Sequence, residues 1–181
     1  MSKALIDMSL EELWQLFPIV LTEHRDCWVD WYREEAAELE AVLLPFRPHA
    51  IHHIGSTAID GIWAKPIVDI LVELPDDAAI ESAKAVLEAQ GYLAMSERDL
   101  NKGYTPQGFA ERVFHIHLRV AGDIDELYFR DYLNAHPEVA EEYERLKLSL
   151  WKEYEHDRDG YTAAKIAFVN KYTELAKAEL A

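Results

Sequence analysis

Residues 51–73 read IHHIGSTAIDGIWAKPIVDILVE. A short apolar run ends in Gly55-Ser56-Thr57, a loop with Gly61 and Lys65 follows, and a second apolar run begins at Pro66 with one acid, Asp69, in its middle. Short apolar runs bounded by glycine and proline read as strands, here Ala50–Ile54 and Pro66–Leu74. Strand side chains alternate, so Asp69, Leu71 and Glu73 share one face. A carboxylate in a buried strand is costly unless it is paired, hydrogen-bonded or bound to metal. Its plain alternative is an acid at a sheet end with ordinary partners. Alternate residues stand roughly 6.6 Å apart along a strand, so Asp69 and Glu73, at twice that, do not easily clasp one ion. His52 and His53 point to opposite faces, and the sequence leaves open which of them meets the core.

Outward from this stretch the pattern is helical on both sides. Leu10 to Phe17 predicts a short helix capped by Ser9, with Glu12 at the capping-box distance and Pro18 closing it. Arg25 to Leu44 predicts a longer one, with Trp28, Tyr32, Ala36, Leu39 and Leu43 on one face. After the second strand, Ala78 to Gln90 predicts a helix stopped at Gly91. Tyr92 to Met95 reads as a strand, and 101–120 as a hairpin turning near Pro106-Gln107-Gly108. Three helices follow: one capped by Asp123 or Asp125 and running through Leu133, one from Pro137 to about Tyr154, and one from Tyr161 to Ala178. Asp157-Arg158-Asp159-Gly160 reads as a break between the last two. No internal repeat interrupts this order. It predicts a single unit, residues 1–181, of α/β (α+β) class: a mixed sheet flanked by helices.

Several residue types in the strand-rich centre can carry chemistry. Glycine permits close approach of backbone to a ligand, and the Ser56 and Thr57 hydroxyls and amides can bind phosphate oxygens. Gly55-Ser56-Thr57 is neither a Walker loop nor a dinucleotide fingerprint, and as a bare tripeptide it also fits a plain turn. His115 and His117 fall on one strand face. Two imidazoles and one carboxylate can form an open three-ligand metal site, and Asp69 supplies the carboxylate if its strand is adjacent. A structural polar network is the competing reading. Lys65, Arg98, Lys102, Arg112 and Arg119 gather around the same strands, where cations can neutralise a polyphosphate. Singly, each is more often a solvated surface residue, and the weight lies in their joint position. Lys165 shares a helix face with Tyr161, four residues before it. GxSxG, HExxH and paired-cysteine zinc motifs are absent. Trp14, Trp28, Trp31, Tyr32 and Trp151 recur at helical spacings and read as packing.

Composition narrows the classes. The chain has 181 residues, half of them apolar, enough for a sizeable core. Eighteen basic residues against 34 acidic ones give a formal charge of -16, which argues against a broad nucleic-acid surface. A small phosphorylated molecule or nucleotide needs only local donors. Cys27 is the only cysteine, so no intrachain disulfide forms, consistent with a reducing compartment. The start, MSKALIDMSLEELW, lacks the apolar segment of a signal peptide, and no run approaches the roughly 18–20 residues of a membrane helix. A cytoplasmic location without a membrane partner is the expectation.

The ordered blocks His53-Ile54-Gly55-Ser56-Thr57-Ala58, Ala64-Lys65-Pro66-Ile67-Val68-Asp69-Ile70, His115-Ile116-His117-Leu118, Phe129-Arg130-Asp131-Tyr132-Leu133 and His136-Pro137 carry a resemblance. So do Tyr143, Leu146-Lys147, Asp157-Arg158, Tyr161-Thr162, Lys165 and Phe168. Over about Trp28 to Val169 the chain resembles the GrpB family of the nucleotidyltransferase superfamily. The resemblance implies a nucleotidyltransferase-like core in which Gly55 and Ser56 meet a triphosphate and Asp69 is the first metal-binding acid. The superfamily's second acid stands two residues later, where this chain has Leu71; the resemblance implies that GrpB-like proteins commonly lack that acid. That departure weakens the case for two-metal phosphoryl transfer.

The expected function is a metal-dependent nucleotidyltransferase acting on a small molecule or a protein acceptor. A nucleoside triphosphate is its substrate, and a divalent ion (magnesium, manganese or zinc) its cofactor. The expected residues are Asp69 and His117 for catalysis, Gly55, Ser56, Thr57, Lys65, Lys102 and Arg112 for the nucleotide, and Asp69, His115 and His117 for the metal. Two alternatives stand beside it: a non-catalytic nucleotide or metabolite-binding module, and a metal-dependent hydrolase built on Asp69, His115 and His117.

Overall fold

A computed structural model describes residues 3–180, so the first two residues and the last of the expected 1–181 unit lie outside the described residues. The fold is a mixed α/β arrangement in which a five-stranded sheet is flanked by six α-helices. Helix α1 (Leu10–Leu16) opens on the expected capping box: Ser9 Oγ accepts from the Glu12 N–H, and the Glu12 carboxylate accepts from the Ser9 N–H. Helix α2 (Cys27–Leu43) precedes strands β1 (Ala50–Ile54) and β2 (Val68–Leu74). Helix α3 (Asp77–Ala89), capped by the Asp76 carboxylate, leads to β3 (Leu93–Ala94), β4 (Asp99–Thr105) and β5 (Gly108–Val120). Helices α4 (Asp125–Ala135), α5 (Pro137–Trp151) and α6 (Arg158–Leu180) complete the order.

The strands lie in the order β1-β2-β5-β4-β3. β2 and β5 are parallel, and the other neighbours are antiparallel. Alternation divides β2 and β5 cleanly. Val68, Ile70, Val72 and Leu74 join Phe114, Ile116 and Leu118 in a core closed by Trp28, Leu39 and Leu43 of α2 and Ile80, Ala83 and Leu87 of α3. The opposite face of the same strands carries Asp69, Leu71 and Glu73 on β2, and His115, His117 and Arg119 on β5. One side of the sheet is therefore an apolar core and the other a row of ionisable groups.

The last three helices do not lie flat on that second face. Phe129, Leu133, Val139, Tyr143 and Tyr172 form their own core with Ile59 and Ile62 of the β1–β2 connection. The connection is held polar group by polar group. Asn134 Nδ2 donates to the Ala58 carbonyl and its Oδ1 accepts from the Asp60 N–H, at 3.0 and 2.9 Å. Glu144 accepts from the Trp63 N–H at 2.6 Å, and Lys147 donates to the Trp63 carbonyl. A cleft remains between the polar sheet face and α5 and α6.

Some boundaries differ from the sequence reading. Strand β2 starts at Val68, because Pro66 has no N–H for the ladder. The hairpin arm starts at Asp99. Ile124, at the cap position of α4, offers no side-chain acceptor, so neither Asp123 nor Asp125 caps it. The Asp157–Gly160 stretch begins α6: Asp157 Oδ1 accepts from the Gly160 N–H at 2.9 Å, as an N-cap does. None of the described helices is long and apolar enough to cross a membrane.

Candidate functional site

β1 ends at Ile54, and Gly55 turns the chain with φ +72° into one turn of 3-10 helix at Ser56–Ala58. Ile54 pairs with Asp69 across β1 and β2, which brings the turn against the Asp69 carboxylate. A Cβ on Gly55 would lie 2.5 Å from Asp69 Oδ2. Only glycine gives both the left-handed φ and the room for this approach. The bare backbone of the Gly-Ser turn and the mid-strand carboxylate thus share one edge of the cleft, whose volume is about 460 Å³.

The parallel register of β2 and β5 sets His115 opposite Asp69 and His117 one pleat further on. Asp69 Oδ1 lies 3.4 Å from His115 Nδ1 and 2.9 Å from His117 Nε2. Burial alone would raise the Asp69 carboxyl, but its hydrogen bonds to both imidazoles outweigh that and hold it far below the usual carboxylate range. The two rings differ in their outer partners. His117 Nδ1 meets Asp99 Oδ1 at 2.9 Å, so this ring stands between two carboxylates. Burial opposes its charge, yet hydrogen bonds to Asp69 and Asp99 lift it to about 9. His115 Nε2 meets the Tyr104 hydroxyl at 2.7 Å and the Arg158 guanidinium at 3.3 Å. Burial pushes this ring down to about 4, with the Arg158 and Lys65 charges working in the same direction against Asp69. The ligand atoms of Asp69, His115 and His117 all lie within 4.8 Å of one another, a spacing that a single cation can bridge.

Cations line the cleft beside the acids Asp125, Glu126 and Glu174. Lys65 ends the β1–β2 connection, Lys147 comes from α5, and Arg158 and Lys165 come from α6; all line the cleft. Lys147 is 2% exposed, and burial pushes it down to about 7. Lys65 falls to about 8, through burial and then the Arg158 charge. Burial, followed by the charges of Lys65 and Lys147, puts Lys165 well below its ordinary value. Ser56 and Tyr143 also line the cleft, and burial pushes the Tyr143 hydroxyl up to about 12.

The sequence profile of the GrpB protein family matches residues 18–175. The chain belongs to the GrpB family. It is 33% identical to the glutamate-rich protein GrpB of Alkalihalophilus pseudofirmus, across 84% of this chain and 92% of that one. It is also 33% identical to the UPF0157 protein YqkA of Bacillus subtilis over 93% of its own length. Against the UPF0157 protein PA4798 of Pseudomonas aeruginosa it is 37% identical over 75% of its length. The chain spans 51% of the length of YqkA and 59% of that of PA4798. Among solved structures, the conserved GrpB protein of Enterococcus faecalis superposes with a TM-score of 0.77 at 30% identity, covering 89% of this chain and 99% of that one.

In this GrpB chain the cleft gathers Gly55, Ser56, Lys65, Asp69, His115 and His117 of the residues singled out by sequence. Three do not join them. Thr57 turns inward and bonds His53 Nε2 at 2.9 Å, with 1% of its surface exposed. Lys102 pairs in register with Phe114, hence on the core face, where it bridges Glu35 and Glu38 at 2.7 and 3.1 Å. Arg112 bonds Glu34 of α2 and lies over the Trp31 ring. The phosphate-binding role expected for Lys102 and Arg112 is therefore corrected: acids of α2 hold both cations away from the cleft. Of the two adjacent histidines, His53 faces α2, stacked on Tyr32 at 4.9 Å, and His52 bonds Glu73 at 2.8 Å. Sequence reasoning missed Lys147, Arg158 and Asp99. The one signal among them is the place of Lys147 inside the apolar run Leu146-Lys147-Leu148.

Proposed function

We propose that this GrpB chain is a metal-dependent nucleotidyltransferase that passes a nucleotidyl group to a small molecule or a protein side chain. The observation that carries the reading is the packing of the Gly55 backbone on Asp69, in the cleft that also holds the histidine pair and the unpaired lysines. Gly55 leaves room for the Asp69 carboxylate to lie against the turn, and the Ser56 hydroxyl beside it can donate to a phosphate. Lys65 supplies positive charge beside the same turn.

Asp69, His115 and His117 are the residues that would hold a divalent ion. One oxygen and two nitrogen donors suit manganese or zinc better than magnesium, which prefers oxygen ligands. Bound there, the ion would supply Lewis-acid polarisation of a phosphoryl oxygen. The chain's own residues prepare that chemistry. Asp99 accepts the Nδ1 proton of His117, so Nε2, which donates to Asp69 here, is the nitrogen that would face an ion after giving up its proton. Arg158 donates to His115 Nε2 and limits how far that ring can turn. Tyr143 and Tyr161 close the inner wall with apolar ring surface and limit water access.

The test is transfer of label from α-labelled nucleoside triphosphates in the presence of manganese, zinc or magnesium. Asp69→Asn is expected to abolish labelled product while the circular dichroism spectrum stays close to wild type, with a lowered unfolding midpoint because the carboxylate is hydrogen-bonded to both imidazoles. Absence of saturable nucleotide binding at millimolar concentration with all three ions would refute the reading. A second reading, a binding module without turnover, draws on Leu71: it is fully buried and packs against Ile54 and Leu127, so the position of a second acid is sealed. That reading predicts saturable binding and no labelled product.

A further inference from the structure

Several inward-facing cations of this chain are neutralised in place. Arg119 meets Asp99 and Glu126, and Lys102 meets Glu35 and Glu38. Lys65, Lys147 and Lys165, which line the cleft with Arg158, are not. Among the described residues none of the three forms an ion pair, although the chain carries a formal charge of -16 and acids to spare. Lys147 spends one hydrogen bond on the Trp63 carbonyl, and the ammonium has three donors. Lys65 Nζ and Lys165 Nζ lie over the same ring, 5.8 and 4.1 Å from the Tyr161 centroid. Like charges gathered out of water are costly. An anion in the cleft would relieve that cost.

Leu71 indicates what that anion is. Two-metal phosphoryl transfer uses a second ion to neutralise the departing phosphates. Here the strand position for its carboxylate is an apolar contact with Ile54 and Leu127. We propose that Lys65, Lys147 and Lys165 form a metal-independent seat for a phosphoanhydride chain of two or three phosphates, standing in for the second ion. This rests on the nucleotidyltransferase reading for its direction but not for its evidence, which is the group of cleft lysines without an acid partner, two of them over one tyrosine ring. The chain could be the tail of a nucleoside triphosphate or a free inorganic polyphosphate, and both present the same oxygens to the lysines.

Isothermal titration in excess EDTA separates these cases, with tripolyphosphate, orthophosphate and ATP as probes. Tripolyphosphate is expected to bind without metal, at least tenfold more tightly than orthophosphate. Lys65→Met and Lys165→Met are each expected to weaken it tenfold or more, while Lys152→Met, at the exposed residue that follows α5, leaves it unchanged. ATP binding tighter than tripolyphosphate assigns the seat to a nucleotide tail, and equal affinity assigns it to free polyphosphate; either supports the seat. Lysine acylation mapped by mass spectrometry on the wild-type chain gives a readout that needs no variant: tripolyphosphate is expected to protect Lys65 and Lys165 but not Lys152. No binding in EDTA, orthophosphate binding as tightly as tripolyphosphate, or equal protection of all three lysines would overturn the proposal. Absence of labelled transfer product with metal-free binding intact would sink the enzyme reading and leave the seat standing.

Discussion

Gly55 is the residue on which the geometry of the cleft turns. Its φ of +72° resembles the +75° of Gly61, but their surroundings differ. A Cβ on Gly61 meets nothing within 4 Å, whereas one on Gly55 meets the Asp69 carboxylate. Gly61→Ala is expected to cost about 1–2 kcal/mol, from the left-handed backbone alone. Gly55→Ala adds the displacement of Asp69, and about 1–3 kcal/mol more is expected. Urea unfolding of the two variants side by side measures the difference; equal losses would mean that Asp69 yields freely. His53 sets a second residue-scale effect. Burial, only partly offset by the Asp69 charge, pushes it down to about 4, so in the folded chain it stays neutral where an unfolded histidine takes up a proton. The unfolded state therefore binds more protons between about pH 6.5 and 4, and stability falls as pH drops through that window by up to about 1.4 kcal/mol per unit for this one group. His53→Gln is expected to flatten the slope by that amount in unfolding experiments at pH 6.5, 5.5 and 4.5. An unchanged slope would show that His53 is charged when folded.

At the scale of elements, the period-two pattern of β2 and β5 separates core from chemistry, and this much was legible. Asp69 in an apolar strand and His115 with His117 on one face needed only alternation. The same rule, applied further, excludes Arg112: it stands three residues before His115 and so points to the opposite face. What alternation does not supply is the partner strand and its register. The parallel pairing that sets His115 opposite Asp69 depends on a crossover through α3, β3 and β4. The lysines of α5 and α6 were obscured for another reason. A lysine on an amphipathic helix reads as solvated, and only the packing of α4–α6 on the β1–β2 connection turns Lys147 and Lys165 inward. Leu71 offers an element-scale test of whether β2 has room for a second acid. Leu71→Asp is expected to destabilise the chain by about 3–5 kcal/mol, because the new carboxylate is buried without a partner. Thermal unfolding with and without manganese checks it: a large loss that manganese does not restore is expected. Wild-type stability would show that the position is open to a second ion.

On the scale of the whole molecule, an acidic chain keeps a small cationic group and presents it to one polar sheet face. The formal charge of -16 repels extended polyanions, while the cleft of about 460 Å³ admits a compact one. Affinity for a phosphorylated ligand is accordingly expected to fall as salt rises, less steeply than for an open surface because the lysines lie within the fold. The layered order of helices around a strand-rich centre could be read from the sequence. The cleft could not, because it exists only where α5 and α6 stand off the sheet. The most direct measurement is a crystal structure with a non-hydrolysable nucleoside triphosphate analogue and manganese, with the ion located by anomalous scattering. The ion is expected among Asp69, His115 and His117, with the phosphates running from Ser56 to Lys65 and Lys165. An ion or a phosphate chain bound elsewhere, with the Asp69–His117 hydrogen bond intact, would contradict the shared metal and phosphate site.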